Sequence, residues 1–362
     1  MHDREGGLTD ACKVLYGFPL VISQVSRLAR LVELLGPETI GLFIDHPRHI
    51  EVLEKVSEAV WPGSIPAWVS IDVGYHRDGV TADSDQLASI ASKLKGSKRV
   101  KLAGLYSHYG SSYESSSPEV ALKYMETELS GLREGAQSFL KSFGSTAETS
   151  KRSKRPILSL GATPTAAAFQ NLLNGTSAAQ RYLDILQSIQ ELFAVELHAG
   201  VYPVLDLQQL ATRARPRNGS RSITYADIGF RIMAEVASLY PDRGDKAEAL
   251  IAAGSIILGR EPCKSYAGWA VVTPWPSTEG SSYDPDGSRT GWIVGRISQE
   301  HGILTWEGPQ EDLRALEIGQ KVMLWPNHAC IAGVNFGYYL VVDSDTPDPD
   351  TIQDVWIRSR GW

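Results

Sequence analysis

The chain has 362 residues, of which 43% are hydrophobic and 21% are charged, fractions typical of a folded protein with more than one domain. The formal net charge of −7 argues against a nucleic-acid partner. No apolar run could span a bilayer, no signal peptide opens the chain, and three cysteines are too few for a disulfide framework, so we expect a cytoplasmic protein without a membrane partner.

Short apolar runs alternate with helical patterns from residue 14 to about residue 210. Runs typical of strands lie at 14–20, 40–45, 67–73, 100–106, 157–161 and 193–197. Helical spacing of apolar residues lies between them, at 28–35, 49–59, 87–94 and 118–142. This alternation predicts βαβ units and therefore a parallel sheet or barrel. Because the first run opens almost at once, we expect the chain to begin within a domain.

The second part of the chain has a different pattern. After about residue 222, short strand patterns broken by Gly and Pro replace the helices, and seven of the nine Trp residues lie from position 269 onward. The strand patterns are clearest at 270–272, 291–294 and 303–306. We therefore predict a barrel domain over residues 1–222 and a mostly antiparallel β domain over residues 223–362.

Polar residues cluster where the predicted strands of the first domain end. The four clusters follow successive strands, at 72–80, 106–113, 161–165 and 198–202. In parallel α/β folds, ligands gather at the carboxyl ends of the strands. We therefore expect the binding site of the first domain at this edge of its sheet.

The cluster at 161–165 leads directly into a predicted helix. Free backbone N–H groups at a helix start, beside the hydroxyls of Thr163 and Thr165, favour an anion such as phosphate. The same residues are also typical of a Thr N-cap with Pro in the first turn. Single residues of the neighbouring cluster have equally plain explanations, because His108 can be a core or surface histidine and Tyr106 and Tyr113 can be packing aromatics.

A histidine and a cysteine lie two positions apart near the end of the chain, at His328 and Cys330. Strand formers on both sides predict an extended segment, in which both side chains would share one face. An imidazole and a thiolate are half of a tetrahedral zinc site and leave positions open for water or substrate. The alternative is a strand with two buried side chains and no metal.

Taken in order, these segments resemble the fold-type III pyridoxal-phosphate enzymes of the D-serine dehydratase and D-threonine aldolase group. The similar segments are 104–108 with Tyr113, 159–165, 196–202 with Asp206, 326–330 and 338–343. The resemblance implies an α/β fold in which an incomplete, TIM-type alanine racemase-like barrel precedes a β domain. Cys330 stands where the aldolases carry Asp, and a thiolate favours zinc, so the resemblance is closer to the zinc-dependent dehydratases.

The resemblance also implies a function. It implies a lyase that converts D-serine to pyruvate and ammonia, uses pyridoxal 5′-phosphate and Zn²⁺, and forms a homodimer. The residues implied to contact the cofactor are Tyr106, Tyr113 and His108, and those implied to hold its phosphate are Thr163, Thr165 and the backbone of Gly200 and Val201. His328 and Cys330 would bind the zinc ion.

One feature of the family has no counterpart in this sequence: the lysine that binds the cofactor covalently. No His-x-Lys-Thr-like strand end is present, Lys13 and Lys101 have unsuitable neighbours, and the first one or two βα units of the barrel have no match. We therefore expect little dehydratase activity from this polypeptide alone. The alternatives are a D-threonine aldolase-type enzyme, a non-catalytic protein that keeps the cofactor and metal pockets, and a scaffold without ligand.

Overall fold

Six parallel strands form the sheet of the first unit, Met1–Ala199. The computed structural model describes residues 13–144, 155–216, 222–275 and 282–359. The strands lie side by side in chain order: β1 (Val14–Pro19), β2 (Ile40–Ile44), β3 (Ile65–Ser70), β4 (Val100–Tyr106), β5 (Ile157–Leu160) and β6 (Ala194–Leu197). Every neighbouring pair is parallel, so the carboxyl ends lie at one edge. This open sheet confirms the predicted incomplete barrel.

Helices connect the strands of the first unit. They are α1 (Val25–Leu35), α2 (Pro47–Leu53), α3 (Asp85–Gly96), α4 (Pro118–Phe143), α5 (Thr163–Ala168) and α6 (Ser177–Ile189). The longest, α4, starts where the hydroxyl of Ser117 accepts a hydrogen bond from the Val120 amide at 3.3 Å. Its buried side chains include Met125, Leu129 and Leu132, which have the spacing of one helix face. The prediction of a helix over 118–142 is confirmed.

Helix α2 is shorter than the pattern at 49–59 predicts, because it ends at Leu53. The Arg99 guanidinium donates to the backbone carbonyls of Val56 at 3.1 Å, Trp61 at 2.6 Å and Gly63 at 2.8 Å. These charge-assisted bonds hold the segment after α2 as a series of turns. A contact with a residue 36 to 43 positions away therefore overrides the local helical spacing.

A closed antiparallel barrel forms most of the second unit, Gly200–Trp362. Its strands are β7 (Ile232–Tyr240), β8 (Glu248–Ile251), β9 (Ala270–Val272), β10 (Gly291–Ser298), β11 (His301–Glu307) and β12 (Lys321–Pro326), in the order β10-β11-β8-β7-β12-β9. Trp292 and Trp306 lie in its core with ring centroids 5.6 Å apart. The predicted antiparallel β domain is confirmed.

Short helices and a hairpin complete the second unit. The helices are α7 (Leu207–Thr212), α8 (Ser255–Leu258) and α9 (Ala329–Gly333), and β13 (Tyr338–Val342) pairs with β14 (Ile352–Ile357) as a separate two-stranded sheet. The unit begins at Gly200, and the domain boundary at residue 222 stays a prediction. Across the described ranges, no helix has the length and hydropathy needed to cross a membrane.

Candidate active site

Three aromatic side chains stack at the carboxyl ends of β4 and β6. The ring of Tyr106, the last residue of β4, lies parallel to that of His198, with centroids 4.3 Å apart and planes inclined by 10°. The ring of His108 continues the stack, 6.4 Å from His198. The ring of Phe43 in β2 contacts that of Tyr106, with centroids 4.5 Å apart and planes inclined by 50°. The fold therefore brings residues from two predicted strand-end clusters, 106–113 and 198–202, into one group.

Hydrogen bonds define the tautomer of both histidines. The hydroxyl of Ser159 donates to Oε1 of Glu196 at 2.8 Å, so its oxygen accepts from Nδ1–H of His198 at 3.1 Å. Nδ1 of His108 lies 3.0 Å from the carbonyl oxygen of Gly161, which can only accept. Each ring in its neutral form therefore carries its hydrogen on Nδ1 and a lone pair on Nε2. Nε2 of His198 is buried and has no hydrogen-bond partner among the described residues.

Burial keeps all three rings of the stack uncharged near neutral pH. The pKa of His108 is lowered to about 4, mainly by burial and next by the charge of the Arg77 guanidinium. Burial also lowers the pKa of His198 to about 4, with His108 as the next cause. The pKa of the Tyr106 phenol is raised to about 12, again mainly by burial. The group therefore offers hydrogen-bond donors and acceptors without a net charge of its own.

The segment at 161–165 forms a tight turn into α5. Its N-cap is Ala162 rather than a threonine, because the hydroxyl of Thr165 accepts from the Ala162 amide at 2.8 Å and donates to the Ala162 carbonyl at 3.0 Å. Thr163 and Thr165 are 2% and 1% exposed. Gly161 has φ of +141°, and a Cβ there would overlap the carbonyl oxygen of His198. The predicted helix start is confirmed. The alternative of a threonine N-cap is wrong, because Ala162 is the N-cap and the Thr165 hydroxyl, within the first turn of α5, binds its backbone.

A buried glutamate joins the loops that follow β4 and β5. Oε1 of Glu128, in the middle of α4, accepts from the Ser107 hydroxyl at 3.3 Å, the Tyr109 amide at 3.1 Å and the Gly161 amide at 3.0 Å. Its Oε2 is buried and has no hydrogen-bond partner in the part of the chain that the structure describes. Burial raises the pKa of this carboxyl to about 7. Glu128 therefore changes its charge close to neutral pH.

The cluster at 72–80 adds a cation to the same group. Asp78 accepts from the hydroxyl of Ser70 at 2.8 Å and from Nε of Arg77 at 2.9 Å. The positive charge of Arg77 opposes the burial-driven increase in the pKa of Tyr106, which indicates that the guanidinium is close to the phenol. Tyr113, the last residue of the cluster at 106–113, lies in the 3₁₀ turn Gly110–Glu114. Its contact with a cofactor stays a prediction.

In the second unit, the fold places Gly200 close to Cys330. A Cβ built at Gly200 would lie 3.9 Å from Sγ of Cys330. Val201 is 2% exposed. The fully buried Asp206 caps α7 by accepting from the Gln209 amide at 2.9 Å, and its second oxygen accepts from the Ala329 amide at 2.9 Å. Residues 200–206 and 326–330 therefore meet within this unit, where Gly200 lies near Cys330 and Asp206 binds the Ala329 amide.

The prediction of an extended segment through His328 and Cys330 is wrong. Strand β12 ends at Pro326, and His328 is the N-cap of α9. The carboxylate of Asp206 binds the Ala329 amide, and the side-chain amide of Asn327 donates to the carbonyls of Glu261 at 2.9 Å and Gly268 at 2.8 Å. These contacts turn the chain away from strand geometry. His328 and Cys330 are therefore arranged by a helix start and not by the alternation of a strand.

The residues at this helix start suit a soft metal ion. An imidazole and a sulfur are the donors that zinc prefers, and Oε2 of Glu261 lies 3.8 Å from Nδ1 of His328. Burial raises the pKa of the Cys330 thiol, and the charge of Asp206 raises it further, so metal binding would have to displace a proton. Among the described residues, no three His, Cys, Asp or Glu side chains converge as a complete metal site. His328 and Cys330 therefore supply two donors of the kinds that zinc prefers.

Comparisons with known proteins identify the family. A model of the alanine racemase N-terminal domain matches residues 16–175, and a model of the serine dehydratase domain matches residues 229–342. A D-serine dehydratase from Schizosaccharomyces pombe is 31% identical over 363 residues, which cover 99% of this chain and 75% of the relative. The chain belongs to the D-serine dehydratase family. As a member of that family it is related to dehydratases, which are lyases.

Solved structures confirm the fold of this D-serine dehydratase family member. An alanine racemase-like protein from Idiomarina loihiensis superposes with a TM-score of 0.70 at 21% identity, covering 97% of this chain and 79% of that protein. D-threo-3-hydroxyaspartate dehydratase from Delftia sp. HT23 superposes with a TM-score of 0.69 at 23% identity, covering 96% and 79%. At these identities the likeness shows the alanine racemase-like fold alone.

Two residues of the candidate site, Glu128 and Arg77, were not predicted from the sequence. Glu128 lies on the same helix face as Met125, Leu129 and Leu132, and a carboxyl among these apolar residues was the available signal. Arg77 lies within the predicted cluster at 72–80, but nothing in the sequence distinguishes it from its polar neighbours.

Proposed function

We propose that this chain is a D-serine dehydratase-type lyase that binds pyridoxal 5′-phosphate and zinc and directs D-serine toward pyruvate and ammonia. The observation that carries the proposal is the uncharged stack of Tyr106, His108 and His198 beside the Gly161 turn, in a chain that belongs to this family. When bound, the cofactor supplies an electron sink for the α-carbon of the amino acid, and zinc polarises its β-hydroxyl.

The first unit offers groups suited to the cofactor. The stacked rings present a flat surface, and the buried Nε2 of His198, which lacks a hydrogen-bond partner among the described residues, can accept a hydrogen bond from a ligand. Tyr106, with its raised pKa, would keep its proton and donate it in a hydrogen bond. We propose that Thr163 and Thr165 hold the phosphate, and that Tyr113 contacts the cofactor. We also propose that the backbone amides of Gly200 and Val201 bind the cofactor phosphate.

The second unit offers the metal ligands. We propose that His328 and Cys330 bind zinc and that the substrate hydroxyl or water completes its coordination. Asp206 supports this role, because its bond to the Ala329 amide fixes the residue between the two ligands. Outer contacts of this kind orient metal ligands in other proteins and raise their affinity.

Neither Lys13 nor Lys101 lies at the strand ends that form the candidate site. Lys13 immediately precedes β1, and Lys101 lies near the start of β4, where its Nζ donates to the carbonyl of Ser97 at 2.8 Å. Both therefore lie at the amino ends of their strands, opposite the end that carries Tyr106. We propose non-covalent cofactor binding and slow turnover for this polypeptide. We also propose a homodimer, a cytoplasmic location and the domain boundary at residue 222.

The substrate D-threonine distinguishes the proposed reaction from the aldolase alternative. Elimination of its β-hydroxyl gives 2-oxobutyrate and ammonia, whereas retro-aldol cleavage gives glycine and acetaldehyde. The full chain would be incubated with pyridoxal phosphate and zinc, together with D-serine or D-threonine, and a mixture without protein is the control. We expect slow release of pyruvate and 2-oxobutyrate above the control. Glycine and acetaldehyde would contradict the proposal, and rapid pyruvate release would contradict slow turnover.

Two binding measurements test the cofactors separately from turnover. Borohydride should leave the pyridoxal phosphate removable by dialysis, because no lysine holds it covalently in this proposal. Zinc should bind at about one ion per chain. Cys330→Ser should lose this zinc, and the matched variant Cys263→Ala should retain it, because Cys263 is a buried core residue that contacts the Leu207 carbonyl. Equal zinc content in both variants would exclude Cys330 as a ligand.

A further inference from the structure

The buried carboxyl of Glu128 binds the turn at 161–165, which is the proposed phosphate site. Oε1 of Glu128 binds the amide of Gly161, and the carbonyl of the same glycine is bound by His108. Hydrogen bonds therefore hold both the amide and the carbonyl of Gly161, and the His198 carbonyl leaves no room for a side chain at this position. A change in the charge or position of the Glu128 carboxyl therefore acts directly on Gly161, the residue before the N-cap of α5.

Burial of this carboxyl needs an explanation beyond packing. A buried carboxyl costs free energy unless its oxygens are satisfied. Oε1 of Glu128 accepts three hydrogen bonds and the Thr165 hydroxyl also favours the charged form, but Oε2 meets no hydrogen-bond partner in the described part of the chain. An apolar residue would satisfy the helix face formed by Met125, Leu129 and Leu132 at lower cost. A carboxyl at this position therefore suits a role in ligand binding better than a role in packing.

The groups around Glu128 leave it as the one that titrates near pH 7. Tyr182, packed from α6, has its pKa raised by burial and by Glu128, and Tyr106 likewise stays protonated. His108 and His198, with pKa values of about 4, are neutral above about pH 6. Among the described residues, the positive Arg77 and the negative Asp78 act on the pKa of His108, and the negative Glu196 binds the Ser159 hydroxyl.

We propose that Glu128 is a positioning residue for the cofactor phosphate, which holds the Gly161 turn through Oε1 and weakens phosphate binding when the carboxyl loses its proton. This inference rests on the proposed function, because it assumes that the turn at 161–165 receives the phosphate. A negative charge behind the turn repels a phosphate dianion, so we expect the affinity to fall about tenfold when the carboxyl is charged. The phosphate would in turn favour the protonated carboxyl.

The test uses the full chain and a probe that cannot form a Schiff base with lysines. The dissociation constant of pyridoxamine 5′-phosphate would be measured by equilibrium dialysis between about pH 6 and about pH 8 for wild type, Glu128→Gln, Glu128→Ala and Glu134→Gln. Glutamine keeps an acceptor oxygen but carries no charge, so it separates charge from geometry. Glu134 lies exposed on the same helix and provides the matched control.

The expected results differ for each variant. Wild type and Glu134→Gln should bind the probe about tenfold more weakly at the upper pH than at the lower. Glu128→Gln should bind as tightly as protonated wild type, and the ratio of its dissociation constant to that of wild type should fall with pH, since the ionisation of the probe cancels in that ratio. Glu128→Ala should bind weakly at every pH, because the turn loses its acceptor.

The outcomes separate failure of this inference from failure of the proposed function. Binding by wild type with the same pH profile in Glu128→Gln would overturn the inference alone. Absence of binding by wild type at every pH would overturn the proposed cofactor site and the inference with it. If Glu128→Gln does not fold, as judged by circular dichroism, the wild-type profile decides, and an affinity that does not weaken as the pH rises would refute the role of the carboxyl.

Discussion

Replacing Gly161 by alanine tests how the turn at 161–165 is built. The glycine has φ of +141°, a region that L side chains rarely adopt, and its added Cβ would overlap the carbonyl oxygen of His198 and lie 3.3 Å from its backbone nitrogen. The backbone strain costs about 1–3 kcal/mol, and forcing an extra methyl group into a packed site costs about 1–3 kcal/mol. We therefore expect Gly161→Ala to lower the free energy of unfolding by about 2–6 kcal/mol.

The matched control is Gly175→Ala. Gly175 also has positive φ, at +64°, but a Cβ there has no atom within 4 Å, so it pays only for backbone strain, about 1 kcal/mol. Urea unfolding followed by circular dichroism gives both values, and hydrogen exchange of peptides from residues 155–199 locates the change. Equal losses of stability in the two variants would refute the view that contact with His198 excludes a side chain at Gly161.

Three further changes have defined outcomes. Ser159→Ala removes the hydroxyl that receives Nδ1–H of His198 and should shift its tautomer toward Nε2–H in ¹⁵N NMR spectra; an unchanged tautomer would contradict the relay from Glu196. Asp206→Asn should weaken zinc binding about 10–100-fold in a competition titration, with circular dichroism to verify folding; undiminished affinity would refute its supporting role. Burial raises the pKa of Glu128 to about 7, above its value in the unfolded chain. As the pH rises from about 5 to about 7, wild type should therefore lose about 1.4 kcal/mol of unfolding free energy per pH unit relative to Glu128→Gln. Equal pH dependence of the two proteins in urea unfolding would contradict the raised pKa.

Much of the fold could be predicted because its elements are defined by local periodicity. The predicted strand 100–106 coincides with β4, and the predicted helix 118–142 matches α4 to within one residue at its end. In both segments, the spacing of apolar side chains agrees with the face that the fold buries. The strand patterns at 270–272 and 291–294 likewise became neighbours in the barrel, as β9 and β10.

The errors have a different physical origin, because each depends on a side chain distant in sequence. Helix α2 ends early since Arg99 binds the carbonyls that follow it. The segment through His328 becomes a helix start because Asp206, 123 positions before Ala329, binds the Ala329 amide. No local pattern of apolar residues records such partners, and propensity alone favoured the strand that flanks His328.

The candidate site was predictable in outline and not in its connections. The clusters at 106–113, 161–165 and 198–202 were each found at strand ends, and the fold brings Tyr106, His108, Gly161 and His198 together. The hydrogen bonds that select the tautomers, and the carboxyl of Glu128 beneath the turn, depend on how α4 packs against the sheet. That packing is a tertiary property and leaves only a weak trace in the sequence.

The parallel sheet and the closed barrel differ in how well they resist aggregation. Each strand of the closed barrel has two partners, whereas β1 pairs only with β2 among the described strands and leaves Val14 44% exposed and Phe18 62% exposed. An exposed strand edge with apolar side chains can pair with a strand of another molecule and so promote aggregation. In warmed or concentrated samples, precipitation should therefore start from the first unit, and masking the Val14–Pro19 strand would keep the protein in solution longer.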